Sequence, residues 1–501
     1  MMKQFLIILV GIGCLTAGWT FRQPSASMNI VFIVADDLSP TLGCYGDSVA
    51  PTPTIDRLAR QGVVFENAFC TSPSCSPSRA SMLTSRYPHQ LAEGTNLWGT
   101  LPKRYPNYVD LLERAGYRVG LMGKGWGPGD HTVGGYTRNP AGPSFKSFDE
   151  FMADQPSGKS FCFWLGPQDP HRPYDAGLKQ TLGSTASRLR PQYLKVPATL
   201  PDTPEVRDDL LDYYAEVARF EQTVAHVVET LEKTGQLQNT LIIVTGDNGM
   251  PFPRAKANLY DAGSRIPLVI YSGSRIGRYA GAAPRFPANA ASAGTGAGKF
   301  TGGKRIRTPV SLIDLAPTLL EVAGLPKADG MEGQSLARYV TGKKTVDQPV
   351  FIERERHAQV RAGNLSYPMR AIRTSDFLYI QNLKPDRWPA GDPEEVMAVG
   401  SYGDIDNGPA KRYLIEHRDH YTALAEGALA KRPADELYDL RQDSNQQTNV
   451  AVAAAYRTTR EKLNRQLQTW RQRTADPRLT KEGEVIDTYP YYGNRAAKEP
   501  K

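Results

Sequence analysis

Two short apolar runs, each followed by acidic residues, dominate the hydrophobic pattern of this chain. The first covers 29–35 and the second 241–246, and both are rich in Val and Ile. Apolar runs of this length without polar alternation are typical of parallel strands that are buried on both faces. We therefore predict two central strands in one sheet, with further strands at 63–65, 117–122 and 160–165.

Between these runs, apolar residues recur at the spacing of a helix that has one buried face. This periodicity predicts helices over 54–61, 108–115, 202–233 and 309–323, and Thr203-Pro204-Glu205 is a start signal for the third. Alternating strands and helices are typical of the α/β class. The expected fold is a large, mostly parallel sheet sandwiched by helices.

Beyond about residue 345 the pattern changes to short strands at 349–353 and within 369–381, followed by a polar helix over 451–473. This change predicts a smaller C-terminal α+β domain that packs on the first domain. Residues 272–308 are rich in Gly, Ala, Ser and basic residues without periodicity, and we predict a mobile surface insertion there. The expected organisation is a signal segment over 1–27, a large α/β domain over 28–345, the α+β domain over 346–480 and a tail over 481–501.

The N-terminal segment has the features of an export signal. Lys3 precedes an apolar run over 5–10 that is too short to span a bilayer. Cleavage near 25–27 would release a soluble protein into the periplasm or the extracellular space, and we favour this outcome. Cys14 follows Gly-Ile-Gly in a loose lipobox, so a lipid anchor at Cys14 stays open as an alternative.

Composition and charge narrow the class of protein only a little. The 501 residues are 40% hydrophobic and 22% charged, as expected for a globular protein of two domains. The net charge of +8 suits a polyanionic partner, but no nucleic-acid-binding module is present, so we expect no nucleic acid. The cysteines beyond the signal have neither the density of a disulfide framework nor a zinc spacing: Cys44, Cys70, Cys75 and Cys162.

Acidic side chains follow both central strands where each strand ends. Asp36 and Asp37 come directly after the first run, and Asp247 and Asn248 follow the second. The carboxyl ends of parallel strands open on the same edge of a sheet, where α/β proteins bind ligands. Three carboxylates and an amide oxygen form a hard-oxygen site, which suits Ca²⁺ or Mg²⁺ rather than zinc.

A cysteine stands beside a predicted helix start at Cys75-Ser76-Pro77-Ser78-Arg79. We predict Ser76 as the N-cap and Pro77 as the first helical residue, which places Cys75 just ahead of the helix. Exposed N–H groups at a helix N-terminus favour an anion. Arg79 lies one turn further on, with a planar guanidinium suited to an oxyanion.

This stretch, continued by Leu83-Thr84-Ser85-Arg86, resembles the signature of the type I sulfatases, a family with an alkaline-phosphatase-like fold. The family usually has Gly where this chain has Ser85. The resemblance implies that a formylglycine-generating enzyme oxidises Cys75 to formylglycine, whose hydrated aldehyde is the nucleophile. It also implies a sulfated oligosaccharide or glycosaminoglycan as substrate, and leaves the oligomeric state open.

The resemblance extends to the other candidate site residues. It implies a divalent cation, calcium with magnesium as the alternative, held by five residues: Asp36, Asp37, Cys75 as formylglycine, Asp247 and Asn248. It implies that Arg79, Lys124 and Lys256 bind the sulfate, with Arg254 as the alternative to Lys256, and that His171 protonates the leaving group. The family often has a histidine where this chain has Trp126, and His131 is a candidate to replace it.

Four further stretches resemble the heparan N-sulfatase (sulfamidase) branch of that family: 169–172, 247–253, 258–260 and 366–370. They imply cleavage of the N–S bond of glucosamine N-sulfate at a chain end, although that branch has arginine where Lys256 stands here. The alternatives are an O-sulfatase acting on another sulfated polysaccharide, a phosphate or phosphonate ester hydrolase of the same superfamily, and a glycan-binding protein without catalysis.

Overall fold

A computed structural model describes residues 28–273, 300–341, 348–394 and 400–493. The predicted signal segment with Cys14, and residues 274–299 of the predicted insertion, lie outside the described residues. Among the described residues, no helix combines the length and the hydrophobicity needed to cross a bilayer. The predicted boundary at 345/346 also lies outside the described residues and stays a prediction.

The strands and helices alternate along the first two thirds of the chain, as expected. The strands are β1 (Asn29–Ala35), β2 (Val63–Phe65), β3 (Ala68–Phe69), β4 (Arg118–Gly123), β5 (Phe161–Gly166), β6 (Thr240–Gly246), β7 (Arg265–Ile266), β8 (Leu268–Ser272), β9 (Lys304–Ile306), β10 (Val310–Ser311), β11 (Val350–Arg354), β12 (Met369–Arg373), β13 (Phe377–Asn382) and β14 (Asp435–Asp439). The helices are α1 (Pro53–Gln61), α2 (Cys75–Thr84), α3 (Tyr108–Arg114), α4 (Phe148–Ala153), α5 (Leu178–Thr181), α6 (Pro204–Lys233), α7 (Asp261–Ser264), α8 (Leu315–Val322), α9 (Ala337–Val340), α10 (Pro409–Glu416), α11 (Thr422–Leu429) and α12 (Arg457–Arg473).

The large domain is built on a seven-stranded mixed sheet in the order β4-β5-β1-β6-β8-β2-β9. Strands β4, β5, β1 and β6 are parallel to one another, β8 is antiparallel to both neighbours, and β9 is parallel to β2. The expected mostly parallel α/β sheet is therefore confirmed. Its alkaline-phosphatase-like assignment is supported by the solved structures described below.

Helices cover both faces of this sheet because successive side chains of each strand point to opposite faces. Alternate β1 residues such as Phe32 pack into one core with α2, α3 and α8. The intervening residues, such as Ile33, pack into a second core with α1 and α6. The apolar run at 29–35 is thus buried on both faces, as its lack of polar alternation predicts.

The second sheet is a four-stranded antiparallel sheet, in the order β11-β12-β13-β14. One face packs against α12 through Leu463, Leu467 and Trp470. The other packs against Phe69, Leu259 and Tyr260 of the large domain. The predicted smaller α+β region is therefore present. Its sheet lies directly beside β3 and beside the segment that follows β6 in the large domain.

Several local expectations were wrong. Residues 300–308, expected in the insertion, contain the edge strand β9, and Phe300 is fully buried. Residues 309–323, expected to be one amphipathic helix, form β10 followed by the almost fully buried α8. The helix predicted from residue 451 begins only at Arg457.

The last described segment also differs from the expected tail. Residues 481–488 form a 3₁₀ helix, and Ile486 is buried. Asp487 accepts hydrogen bonds from the Ser366 backbone and from Arg478, and Arg356 donates to the Tyr489 carbonyl at 2.9 Å. Residues 481–493 therefore belong to the folded body. A polar segment of this kind has no periodicity that would reveal its contacts in advance.

Candidate active site

The register of β1 against β6 sets the geometry of the site. Asn29 pairs with Thr240 and Ala35 with Gly246, so the two parallel strands end side by side. The acidic residues that follow them are consequently neighbours: the Asp37 backbone N–H donates to Asp247 Oδ1 at 3.0 Å. Asp37 adopts a positive φ of 65°, which turns the chain sharply at the end of β1.

Helix α2 begins with the candidate nucleophile. The N-cap is Ser74 and Cys75 is the first helical residue, so the predicted N-cap Ser76 and Pro77 lie inside the first turn. The prediction was wrong by two residues because Ser74 and Ser76 are equally good N-caps by composition. Cys75 is buried, and its Sγ lies 3.4 Å from Asp36 Oδ1.

The oxygen ligands predicted from the two strand ends form one buried cluster. The side-chain ligand atoms of Asp36, Cys75 and Asp247 all lie within 4.8 Å of one another. Asn248 Nδ2 donates to Asp37 Oδ1 at 2.7 Å, while the buried Asn248 Oδ1 has no hydrogen-bond partner. Buried amide oxygens are normally satisfied. An orphaned oxygen beside three carboxylates fits a hard divalent cation.

Three cations surround this cluster. Arg79 Nε donates to Asp247 Oδ2 at 2.7 Å, Lys124 Nζ lies 2.6 Å from Asp36 Oδ2, and Lys256 Nζ lies 2.8 Å from Asp37 Oδ2. Arg79 Nη1 is held by the carbonyl oxygens of Lys124 and Gly125, whereas its buried Nη2 has no partner. The cluster therefore keeps an unused guanidinium donor, as an oxyanion site requires.

The charges of these groups depend on one another. Burial alone would raise the pKa of Asp36, but Lys124 and His171 together hold it well below its usual range. Burial opposes the charge on Lys124 and Lys256, yet the facing carboxylates raise the pKa of both ammonium groups above the ordinary value. The two lysines are therefore charged, although their side chains are largely withdrawn from water.

The thiol of Cys75 is not activated in this environment. Burial and the neighbouring Asp36 raise its pKa well above the ordinary value, so the group keeps its proton. A protonated thiol is a poor nucleophile. Unmodified Cys75 thus offers no reactive group, even though it occupies the centre of the cluster.

His171 stands at the mouth of the site. Its Nε2 lies 3.7 Å from Asp37 Oδ2 and its Nδ1 contacts the carbonyl oxygen of Arg172, while about a third of its side chain is exposed. An open cavity of about 450 Å³ begins here, lined by polar groups that include Tyr174, Asp406 and Asn407.

The structure thus brings all the site residues named from the sequence into one network of contacts: Asp36, Asp37, Cys75, Arg79, Lys124, His171, Asp247, Asn248 and Lys256. The guanidinium of Arg254, the alternative to Lys256, donates instead to the carbonyls of Gly427 and Gln446. Trp126 is buried in the core of the large domain. Over the described ranges, no hydrogen bond or ion pair joins His131 to the cluster.

The comparison with protein families agrees with this arrangement. The family model described as Sulfatase matches residues 28–325, more than half of the chain and the part that holds every residue of the cluster. The chain belongs to the sulfatase family. It is accordingly a hydrolase of sulfate esters.

Two relatives illustrate the range of sulfatases that this chain resembles. Human N-sulphoglucosamine sulphohydrolase is 28% identical over 497 residues, covering 90% of this chain and 91% of the relative. An ulvan-active sulfatase of Formosa agariphila is 26% identical over 509 residues, covering 92% of this chain and 77% of the relative.

Solved structures show the same fold at low identity. The yidJ protein of Bacteroides fragilis superposes with a TM-score of 0.63 at 18% identity, covering 92% of this chain and 99% of its own. The BT4656 structure, solved in complex with its substrate D-glucosamine-2-N,6-O-disulfate, has a TM-score of 0.59 at 18% identity and covers 90% and 98%. The alkaline-phosphatase-like fold expected from the signature is therefore confirmed.

Sequence reasoning missed the contribution of the C-terminal region to this sulfatase site. Asp406 Oδ2 lies 2.9 Å from Lys256 Nζ, and the buried His357 Nδ1 lies 2.8 Å from the hydroxyl of Ser74, the N-cap of α2. Both residues stand in irregular segments of ordinary composition. No motif or periodicity marks them, so only the folded chain reveals that they reach the site.

His357 gives a test of this contact. Burial lowers its pKa to about 3, whereas the unfolded chain titrates it near 6.5. Between these values only the unfolded state binds the proton, so stability falls as the pH drops below about 6.5, by up to about 1.4 kcal/mol per pH unit. We would measure the free energy of unfolding with urea at several pH values between 5 and 7.5. The fall of this free energy with decreasing pH should be smaller for His357→Gln than for the wild type.

The matched control is His420→Gln, which replaces an exposed imidazole and should keep the wild-type slope. Equal slopes for the wild type and His357→Gln would contradict a buried neutral imidazole at this position.

Proposed function

We propose that this sulfatase removes sulfate from a sulfated saccharide, with glucosamine N-sulfate as the first candidate, through a formylglycine at position 75 and a divalent cation. The observation that carries the proposal is the buried cluster itself. Oxygen-rich ends of two in-register strands meet the cysteine of the family signature, and three charged side chains surround them. Acidic strand ends alone, or a cysteine at a helix start alone, would indicate no particular reaction, but the two together suit sulfate transfer.

The divalent cation fits the residues present. The carboxylates of Asp36, Asp37 and Asp247, with the unpartnered Asn248 Oδ1 and the oxygen of a converted residue 75, would hold it. When bound, such an ion withdraws electron density from oxygen atoms and lowers the pKa of a hydroxyl group. A set of hard oxygens without thiolate favours calcium or magnesium over zinc.

Conversion of Cys75 replaces the unreactive thiol. The side chain gives up its sulfur as sulfide, loses two hydrogens and gains one oxygen from water, a two-electron oxidation for which a separate formylglycine-generating enzyme would supply the oxidant during maturation. Hydration of the aldehyde then supplies two hydroxyl groups on one carbon. One hydroxyl oxygen would bond to the substrate sulfur while the bond from sulfur to the sugar nitrogen or oxygen breaks. Loss of the second hydroxyl proton would release sulfate and restore the aldehyde.

The side chains of this chain supply charge and protons to that reaction. Arg79, Lys124 and Lys256 would balance the negative charge on the sulfate oxygens, because fixed cations are most effective in a buried site. His171, at the mouth, would protonate the leaving atom. An amine or alkoxide leaves poorly without a proton, so this step matters most for a sulfamate or an alkyl sulfate.

The choice of glucosamine N-sulfate rests on resemblance. The human relative is named for N-sulphoglucosamine hydrolysis, and the stretches 169–172, 247–253, 258–260 and 366–370 resemble the sulfamidase branch. An O-sulfatase on another polysaccharide is the second candidate, because Lys256 and Trp126 depart from that branch and the ulvan-active relative is nearly as similar. Export from the cell, expected from residues 1–27, forms part of this proposal.

The substrate assignment is tested with defined oligosaccharides. We expect free sulfate from chains that end in glucosamine N-sulfate, with an unsulfated glucosamine left at the chain end, at a higher kcat/KM than from the matched 6-O-sulfated chains. The reverse order would favour the second candidate. Parallel assays with an aryl sulfate and an aryl phosphate provide the control, and preference for the phosphate would contradict a sulfatase.

Cys75 gives a direct test of the nucleophile. Mass analysis of active protein should find the peptide containing position 75 with oxygen in place of sulfur and two hydrogens missing. Cys75→Ala should lower kcat by about 10³-fold or more, because the reaction loses its nucleophile. Cys44→Ala, at a half-buried cysteine outside the cluster, should retain activity. An unmodified Cys75 thiol in fully active enzyme would contradict the mechanism.

The divalent cation has a readout that does not depend on activity. Calcium bound by buried carboxylates stabilises the folded state, by about 2.7 kcal/mol at a free concentration one hundred times Kd. The melting temperature of chelator-treated protein should therefore rise when calcium or magnesium is added. Asp37→Ala should abolish most of this rise. An unchanged melting temperature of the wild type with both ions would exclude the proposed site.

A further inference from the structure

We propose that Asp406, from the C-terminal region, is a positioning residue that holds the Lys256 ammonium in the sulfate-binding cluster. The inference rests on the proposed function, in which Lys256 balances charge on the sulfate. It extends the site beyond the residues of the large domain.

Lys256 is held between two carboxylates. Its Nζ lies 2.8 Å from Asp37 Oδ2 and 2.9 Å from Asp406 Oδ2. The lysine side chain is 4% exposed, whereas that of Asp406 is 27% exposed and faces the cavity beside His171. A buried ammonium needs nearby anions to remain charged. Its position therefore follows from where these two carboxylates stand.

The Asp37 carboxylate has other partners besides Lys256. Its carboxylate also accepts a hydrogen bond from Asn248 Nδ2 and faces His171 Nε2, and it belongs to the set that fits a divalent cation. A cation held there would compete with Lys256 for the same oxygen atoms. Among the described residues, Asp406 belongs to neither group of side chains that could hold a metal ion. It would then be the carboxylate that keeps Lys256 in place.

The loop of Asp406 is fixed on its N-terminal side by Asp404. The buried Asp404 accepts hydrogen bonds from the guanidinium groups of Arg354 and Arg361 and from the Ala358 backbone N–H. Arg354 also donates to the carbonyl oxygen of Ala257, the residue that follows Lys256. One guanidinium on β11 therefore ties together the backbone next to Lys256 and the loop that carries its partner.

The C-terminal side of the loop has its own anchor. Lys411 Nζ donates to the Ile405 carbonyl oxygen and to Asn407 Oδ1, both at 2.9 Å. Asp406 thus lies between two fixed neighbours, and its carboxylate is set in position before any ligand binds. The Lys256 ammonium, which Asp406 would hold, could then bind a sulfate without first rearranging.

The test is a double-mutant cycle on Asp406→Asn and Lys256→Gln, with kcat/KM for the sulfated substrate as the first readout. Loss of one hydrogen bond to a charged group should lower kcat/KM of Asp406→Asn by about 10- to 100-fold. In the Lys256→Gln background the same change should have little further effect. Asp406→Glu, which keeps the charge, should restore part of the loss.

The second readout is the binding of inorganic sulfate to calcium-loaded protein, measured by calorimetry. Asp406→Asn should weaken sulfate binding by a similar factor without lowering the melting temperature enough to account for it. Asp419→Asn, which removes an exposed carboxylate from the same region, is the matched control and should resemble the wild type in both measurements.

Each of four results would overturn the inference. Tighter sulfate binding by Asp406→Asn would show that this carboxylate competes with sulfate. Equal losses in the wild-type and Lys256→Gln backgrounds would show that Asp406 acts independently of Lys256. Impaired Lys256→Gln beside unimpaired Asp406→Asn would overturn this inference alone. A Lys256→Gln enzyme with wild-type kcat/KM would instead refute the proposed role of Lys256, and the inference with it.

Discussion

The pairing of β1 with β6 is the constraint on which the rest of the site depends. The two strands are parallel, in register over their whole length and buried on both faces, so they end at the same level of the sheet. A slip of one residue would move every β1 side chain to the opposite face and separate Asp36–Asp37 from Asp247–Asn248. Packing of apolar side chains in the two cores thus fixes the position of the carboxylates to within a hydrogen-bond length.

Charge balance is the second condition, and it couples the site to its surroundings. Buried carboxylates and buried cations each cost free energy alone and are tolerated only as pairs. Here Asp36 faces Lys124, Asp247 faces Arg79, and Lys256 lies between Asp37 and Asp406. A divalent cation and an incoming sulfate would add opposite charges to this network, and the groups proposed to bind the sulfate already balance the charge of the carboxylates.

The C-terminal region is part of this balance rather than a separate attachment. It supplies Asp406 to Lys256 and His357 to the N-cap of the nucleophile helix, and Arg354 ties its β-sheet to the backbone beside Lys256. These contacts join the C-terminal region to the start of α2 and to the segment that follows β6. The proposed chemistry belongs to the large domain, and under our inference the smaller region holds one of its cations in place.

The sequence by itself determined the two buried strands, the acidic residues at their ends and the cysteine signature, because each is a local pattern with a local physical cause. These patterns predicted the α/β sheet and the acidic residues at the strand ends, whereas the resemblance to the sulfatase family implied the roles of Lys124, His171 and Lys256. The start of α2 at Cys75, the packed segment 481–493 and the roles of Asp406 and His357 were decided only by tertiary structure. Those features depend on contacts between residues far apart in the chain. Burial and charge pairing select them, and neither property is visible in any short stretch of sequence.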